Sequence, residues 1–321
     1  MNTTLLKNWN KNFAEQFSRR LIGKEKERFL GKIEEELQAR NYESQRIKVK
    51  HWGFANRLLF TKCKKPEVVF MAHYDTPTIM PWGISPAFTL FGHTRQVLAS
   101  IFLIIPILVL SEIYLWLELN GLANWAAIYL GIMGVLFVLP IFFPNPNNVE
   151  DNTSGVIGLL ALAEQIKDRS FKDKVQFVFL DNEERGLIGS NALKRIWQKD
   201  NHLRVNTVII NLDCISRGEI PLLVYHYNNS VAQEILPFLE QHLPQTKMFD
   251  MKNVPLSDNY TFREKWAVDI SYVDPTIIPG GFYIRKIHTP KDKDFFPEKT
   301  GRLIDALTDF LEDKLVDPTT S

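Results

Sequence analysis

Along the 321 residues, short uninterrupted apolar runs alternate with stretches whose apolar residues recur every three to four positions. Runs at 68–72, 175–180 and 205–212 have the length and composition of strands buried on both faces. Between and after them, 156–167, 187–198 and 230–243 carry helical spacing, as does 24–41, with Phe29, Leu30, Ile33 and Leu37 set among Glu and Lys. A last helix is expected over 297–315. Residues 46–51 alternate as an edge strand, with 56–61 as its partner. Strand and helix in turn at this spacing predict an α/β fold, a doubly wound, mostly parallel sheet with flanking helices.

One segment breaks the pattern. From Val97 to Leu117, 14 of 21 residues are Leu, Ile, Val or Phe, and Glu112 is the only charge. At 1.5 Å per residue this reaches about 30 Å, the thickness of a bilayer core. Insertion would gain about 4 to 8 kcal/mol from those side chains, against at most about 3 for the carboxylate. A second run, 122–143, follows the short turn Glu118-Leu-Asn-Gly121, so two transmembrane helices in a hairpin are expected over 97–117 and 122–143. Trp116, Trp125 and Tyr129 fall where interfacial aromatics lie. A hairpin returns the chain to its starting side, which lets 1–96 and 145–321 build one domain around the insertion at 97–144.

Charge refines this picture. Residues 1–96 carry 17 Lys and Arg against 9 Asp and Glu, 97–144 carry no Lys or Arg, and 145–321 are net acidic. The basic side is expected to face the cytoplasm, with both termini and the catalytic part there. The N-terminus lacks the apolar core of a signal peptide. No global basic field points to nucleic acid. Cys63 and Cys214, the only cysteines, have no partner at zinc-ligand or redox spacing, which argues against a disulfide scaffold or a thiolate metal site.

Candidate chemistry clusters where the runs end. His73, Glu183, Glu184 and Asp213 each fall within four residues of an expected strand terminus, where reactive groups of open α/β sheets collect. In His73-Tyr74-Asp75 a spacing of two puts imidazole and carboxylate on one side of an extended backbone, so Asp75 can accept the second imidazole N–H. Asp151-Asn-Thr-Ser-Gly155 is expected to open a helix whose N–H groups favour an anion. His288 completes a set of histidines and carboxylates suited to a two-metal site.

These segments resemble the co-catalytic di-zinc aminopeptidases of metallopeptidase family 28. The family's His-x-Asp is similar to His73 and Asp75, its Asp-Asn-x-Ser-Gly to 151–155, and its Glu-Glu-x-Gly-Leu-x-Gly-Ser to 183–190. Its Asn-x-Asp resembles Asn211-Leu-Asp213, its Ser-Asp with a following Phe resembles Ser257-Asp258 and Phe262, and its His-Thr-x-x-Asp resembles 288–292. The resemblance spans roughly 60–90 and 145–315. It implies one zinc on His73, Asp151 and Asp213, another on Asp151, Glu184 and His288, and Glu183 as general base then acid. Cobalt and manganese also suit these ligands. The implied activity is removal of N-terminal residues from peptides at a membrane surface.

Departures are Asn182 where the family commonly has Gly, Cys214 where Met is frequent, the missing export signal, and the apolar insertion. Pro77, Met80, Trp82 and Phe88 suit either a side-chain pocket or an interfacial anchor. Two alternatives stand beside the peptidase. One is a glutaminyl-cyclase-like acyltransferase with a single zinc on Asp151, Glu184 and His288; the other is a non-catalytic membrane receptor or scaffold.

Overall fold

The computed structural model describes residues 1–79, 89–92, 95–138, 142–226, 230–250, 252, 254–277 and 279–316. In chain order its elements are α1 (Thr3–Gln16), α2 (Gly23–Gln38), β1 (Ser44–His51), β2 (Phe54–Thr61), β3 (Val68–His73), β4 (Leu90–Gly92), α3 (Arg95–Leu119), α4 (Ala123–Val138), α5 (Ser154–Ile166), β5 (Val175–Leu180), α6 (Ile188–Lys199), β6 (Val208–Leu212), β7 (Ile220–Tyr225), α7 (Ser230–His242), β8 (Lys247–Asp250), β9 (Trp266–Pro275), β10 (Gly281–Tyr283) and α8 (Pro297–Leu315). The strands form one sheet in the order β1-β2-β5-β3-β6-β9-β10-β4, with β7 also on β9 and β8 on β7.

The three apolar runs are its centre. β5, β3, β6 and β9 are parallel neighbours. Val68, Phe70 and Ala72 point into a core built with α1, α2, α5, α7 and α8, whereas Val69 and Met71 point to a second core with Leu193 and Trp197 of α6. Burial on both faces is why these strands are apolar throughout rather than alternating.

The sheet is mixed, which corrects the expectation of a mostly parallel one. β1 with β2, β2 with β5, β7 with β9, and β10 with both β9 and β4 run antiparallel. Connection length decides the case of β1 and β2: the turn at Trp52 and Gly53, with φ of 48° and 81°, is far too short for a parallel crossover.

The inserted hairpin is present, but its helices differ from the expected spans. α4 is described over 16 residues, about 24 Å at 1.5 Å per residue; residues 139–141, in the last turn of the expected second span, lie outside the described residues. Among the described residues no helix is long and apolar enough to cross a membrane. The turn lies where expected, closed by Leu122 N–H on Leu117 O at 2.9 Å and Gly121 N–H on Glu118 O at 3.1 Å. Large apolar side chains stand exposed on both helices, among them Ile107 at 61%, Trp116 at 61%, Trp125 at 62% and Ile132 at 54%. The hairpin's return is pinned to its departure: Ile79 N–H meets Phe143 O at 3.0 Å, and Thr78 bridges Pro144. Pro77 is buried there, while Met80, Trp82 and Phe88 lie outside the described residues.

The N-terminal segment braces the strand that carries His73. Arg20, fully buried, donates through Nε to Tyr74 O and through an Nη to Phe17 O, and its backbone N–H meets Thr76 Oγ1. Lys26 of α2 is buried too, and pairs with Asp181 and Asn182 just before Glu183.

Helix α6 leaves the 181–187 turn so tightly that a Cβ on Gly189 would collide with the Asp181 carbonyl. Gly189→Ala is therefore expected to lower stability by about 1 to 3 kcal/mol. Urea unfolding would check this, and an unchanged midpoint would contradict it.

Candidate active site and metal centre

β3, β5 and β6 end side by side, with His73 opposite Leu180 and Met71 opposite Asn211. The residues that follow these ends therefore share one edge of the sheet, as the fold class demands. All five expected ligands converge there. Asp151 lies between two imidazoles: its Oδ1 is 3.2 Å from His73 Nε2 and its Oδ2 is 2.9 Å from His288 Nε2. Asp213 Oδ1 stands 3.6 Å from His73 Nε2, and Glu184 Oε2 stands 3.6 Å from His288 Nε2. Ligand atoms of His73, Asp151 and Glu184 lie within 4.8 Å of one another, as do those of Asp151, Asp213 and Cys214.

The Asp-Asn-Thr-Ser-Gly segment holds Asp151 by a mechanism other than the one expected. Asp151 is not a helix cap, since α5 begins at Ser154. Instead the Asp151 and Glu150 N–H groups donate to the Asp292 carboxylate at 3.1 and 3.0 Å. Asn152 then stitches this loop to the end of β6: its Nδ2 donates to Leu212 O at 2.9 Å, and its Oδ1 accepts from Cys214 N–H and Gly155 N–H. A Cβ on Gly155 would strike Leu212 O. The motif thus fixes Asp151 relative to Asp213.

The expected hydrogen bond from the His73 imidazole to Asp75 is not formed, and Asp75 is held elsewhere. His73 Nδ1 lies 3.5 Å from Asp75 Oδ1, whereas Asp75 accepts hydrogen bonds from Glu183 N–H at 3.0 Å and Glu184 N–H at 3.3 Å. One carboxylate thereby ties the β3 end to the turn carrying both glutamates. Ser257, which donates to Asp213 Oδ2 at 2.7 Å, and Asp292 carry comparable positioning duties that their motifs did not disclose.

Among the described residues acids here outnumber cations: Asp75, Asp151 and Asp258 are buried, and Asp213, Glu183 and Glu184 half-buried. Asp75, Asp151, Asp213, Glu183, Glu184 and Asp258 share two imidazoles and the guanidinium of Arg20. Burial, reinforced by Asp258, Asp213 and Asp75 against the pull of His73, drives Glu183 well above the carboxylate range. Burial together with Asp151 and Glu183 does the same to Glu184. Burial also lifts Asp258 to about 7 and depresses Arg20 to about 10, although Asp75, Asp151 and Asp292 oppose that fall. Burial would depress His73 as well, but the surrounding carboxylates of Asp151, Asp213 and Asp75 outweigh it and raise its pKa well above the ordinary value. Asp151 opposes burial through His288 and His73 and falls below the carboxylate range. The surplus of negative charge is what divalent cations would neutralise. Glu184 Oε1 is buried without a hydrogen-bond partner, and imidazole with carboxylate suits zinc. The donor set fits such ions.

Cys214 is the residue the spacing argument set aside. Its thiol donates to Asp213 Oδ1 at 3.3 Å, and burial with the surrounding acids pushes its pKa well up. A protonated thiol is a poor ligand.

These groups line a cleft of about 520 Å³. One part of its wall is apolar, from Phe91 of β4, Val224, Val254, Ile284 and Ile287. Asp269 and Ser271 on β9 also line it, with Asp269 Oδ1 accepting from Asn211 Nδ2 at 2.7 Å and Oδ2 from Ser271 Oγ at 2.6 Å. No spacing signal marks these wall residues, because they come from separate strands and loops.

Asp75→Ala removes the contact to His73 and the anchor of the Glu183 turn together. It is expected to weaken divalent-metal binding about 10- to 100-fold. Competition with a chromogenic chelator measures this, and wild-type affinity would count against the positioning role.

The description Peptidase family M28 applies to the family model that matches residues 143–302. Among curated protein sequences, none matches the chain. Solved structures of similar fold include the LapA aminopeptidase of Legionella pneumophila, at TM-score 0.65 and 12% identity, covering 98% of this chain and 72% of that one. A Zn-dependent exopeptidase from Parabacteroides distasonis gives 0.63 and 14%, covering 98% of both chains. A Bacteroides thetaiotaomicron glutaminyl cyclase bound to N-acetylhistamine gives 0.59 and 15%, covering 95% and 94%. Over residues 143–302 the chain is thus similar to peptidase family M28, and its fold is one that aminopeptidases and glutaminyl cyclases share.

Proposed function

We propose that the chain is a zinc-dependent exopeptidase that hydrolyses the N-terminal bond of peptides. The observation that carries this is Asp151, with one oxygen facing His73 and the other facing His288, a bridging posture beside a glutamate that no ligand role requires. His73, Asp151 and Asp213 would hold one ion, and Asp151, Glu184 and His288 the other. When bound, two zinc ions supply Lewis acidity to the scissile carbonyl and lower the pKa of a water.

The chain's own groups do the rest. Glu183 faces the cleft from the turn that Asp75 pins, and its burial keeps it basic enough to take a proton from the water. The same carboxyl then delivers that proton to the departing amine. The apolar wall receives the side chain of the first residue and excludes water from it. A cyclase of the glutaminyl kind would need only Asp151, Glu184 and His288. His73 and Asp213 on the other oxygen of Asp151 favour two ions. A receptor or scaffold would have no use for Glu183 beside a complete donor set.

The hairpin is proposed to enter a lipid bilayer while the sheet domain and both termini remain on one side, the cytoplasmic one. Apolar side chains exposed on both helices support this, because acyl chains solvate a helix all round whereas a protein partner covers one face. Depth is set by the aromatic pair near the turn, Trp116 and Trp125.

Two measurements test these proposals. Glu183→Gln should retain bound metal and lose about 10²- to 10⁴-fold in release of N-terminal residues from peptides; turnover equal to wild type would sink the mechanism. The full chain should float with phospholipid vesicles, and Ile107→Arg with Ile132→Arg should release it, each arginine costing about 2.5 to 3.5 kcal/mol. Flotation unaffected by both changes would refute anchoring through the hairpin.

A further inference from the structure

Among the described residues the cleft is lined by five acids besides its two imidazoles, and by one further cation, Arg263. Among the described residues this arginine has few partners. Among the described residues its side chain makes one weak hydrogen bond, from an Nη to Tyr260 O at 3.3 Å, and lies over the Tyr260 ring with Cζ 4.5 Å from the centroid. The adjacent acid, Glu264, pairs with Lys194 instead. A guanidinium has five N–H donors in a planar fork that matches a carboxylate. Arg263 therefore stands stacked, half-buried and with most of its donors uncommitted, in the wall of the catalytic cleft.

Its position relative to the reacting groups is well defined. The turn Asp258–Phe262 is a 3-10 helix. At its start Ser257 bonds the ligand Asp213 at 2.7 Å, and along it Thr261 bonds Ser190 at 2.8 Å and Lys194 at 2.9 Å on α6. Ser257 and Arg263 are thus fixed ends of one rigid turn. Six residues at a 3-10 rise of 2.0 Å span roughly 12 Å. The guanidinium, folded back on Tyr260, shares one cleft with Asp213 and Glu183, within reach of a short peptide at about 3.3 to 3.6 Å per residue.

From this geometry we infer that Arg263 is a specificity-determining residue that captures a substrate carboxylate, selecting short peptides through their C-terminal carboxylate. The inference rests on the peptidase proposal. The acids elsewhere in the cleft repel an anionic group, so the carboxylate is welcome only at this end. An acidic side chain near the N-terminus offers the same chemistry from a different source.

The test uses the full-length, zinc-loaded protein with Leu-Ala-Ala, its C-terminal amide, and Leu-Asp-Ala amide. Wild type should favour the free acid over the amide by about 10- to 100-fold in kcat/KM, chiefly through KM, as a charged hydrogen bond would give. In Arg263→Gln that preference should fall to within about threefold, and Arg263→Lys, with charge but no fork, should lie between. If the aspartyl amide regains the advantage and loses it in Arg263→Gln, the carboxylate is still what Arg263 reads, but from a side chain. No preference in wild type, or one that survives Arg263→Gln, overturns the inference. Should none of the three be hydrolysed, the peptidase proposal is what fails. Calorimetric binding of acid and amide to wild type and Arg263→Gln then decides on Arg263 by the same ratios, and thermal unfolding shows whether either variant has lost its fold.

Discussion

A carboxylate removed from water must find cations or donors, and Asp151 finds a histidine on each of its two oxygens. Everything around the cleft serves to keep it there. Asp292 accepts the N–H groups of residues 150 and 151, Asn152 bonds both β6 and α5, and Gly155 allows the loop to touch the Leu212 carbonyl. The two histidines arrive from opposite ends of the chain, His73 at the end of β3 and His288 after β10. Their meeting depends on the sheet order, which sets β3 beside β5 and β6.

The same constraint explains buried charges that would otherwise weaken the fold. Lys26 with Asp181, and Arg20 on the Tyr74 carbonyl, sit beneath the acid cluster with almost no exposure. Buried ion pairs seldom add net stability, but losing one partner is costly. Their value here is positional: Arg20 braces the residue between His73 and Asp75, and Lys26 braces the two residues before Glu183. The glutamates and the imidazole therefore hang from supports that cannot relax separately.

Much of this was legible from residue order. The runs at 68–72 and 175–180 announced strands because both faces are buried, and 297–315 matched α8 because its apolar face is unbroken. The site residues were visible because short motifs put two or more functional groups at one strand end. Other parts left little trace. β9 carries Asp269, Ser271 and Asp274 among apolar residues, so its alternation reads as no strand at all, yet it pairs with β6, β7 and β10. Lys26 looks like one more surface lysine in a helix full of them; only the tertiary fold shows it inside. Arg263 was invisible because its place in the cleft wall depends on the turn that follows Asp258, which its own sequence does not mark.

The central claim is that Asp151 joins two metal ions. Elemental analysis of purified protein, after loosely bound ions are removed, tests it most directly. Two zincs per chain are predicted, falling to one in His288→Ala. A single tightly bound ion in the wild type would contradict the bridging role, and none would leave the cluster of buried acids without the cations on which this account depends.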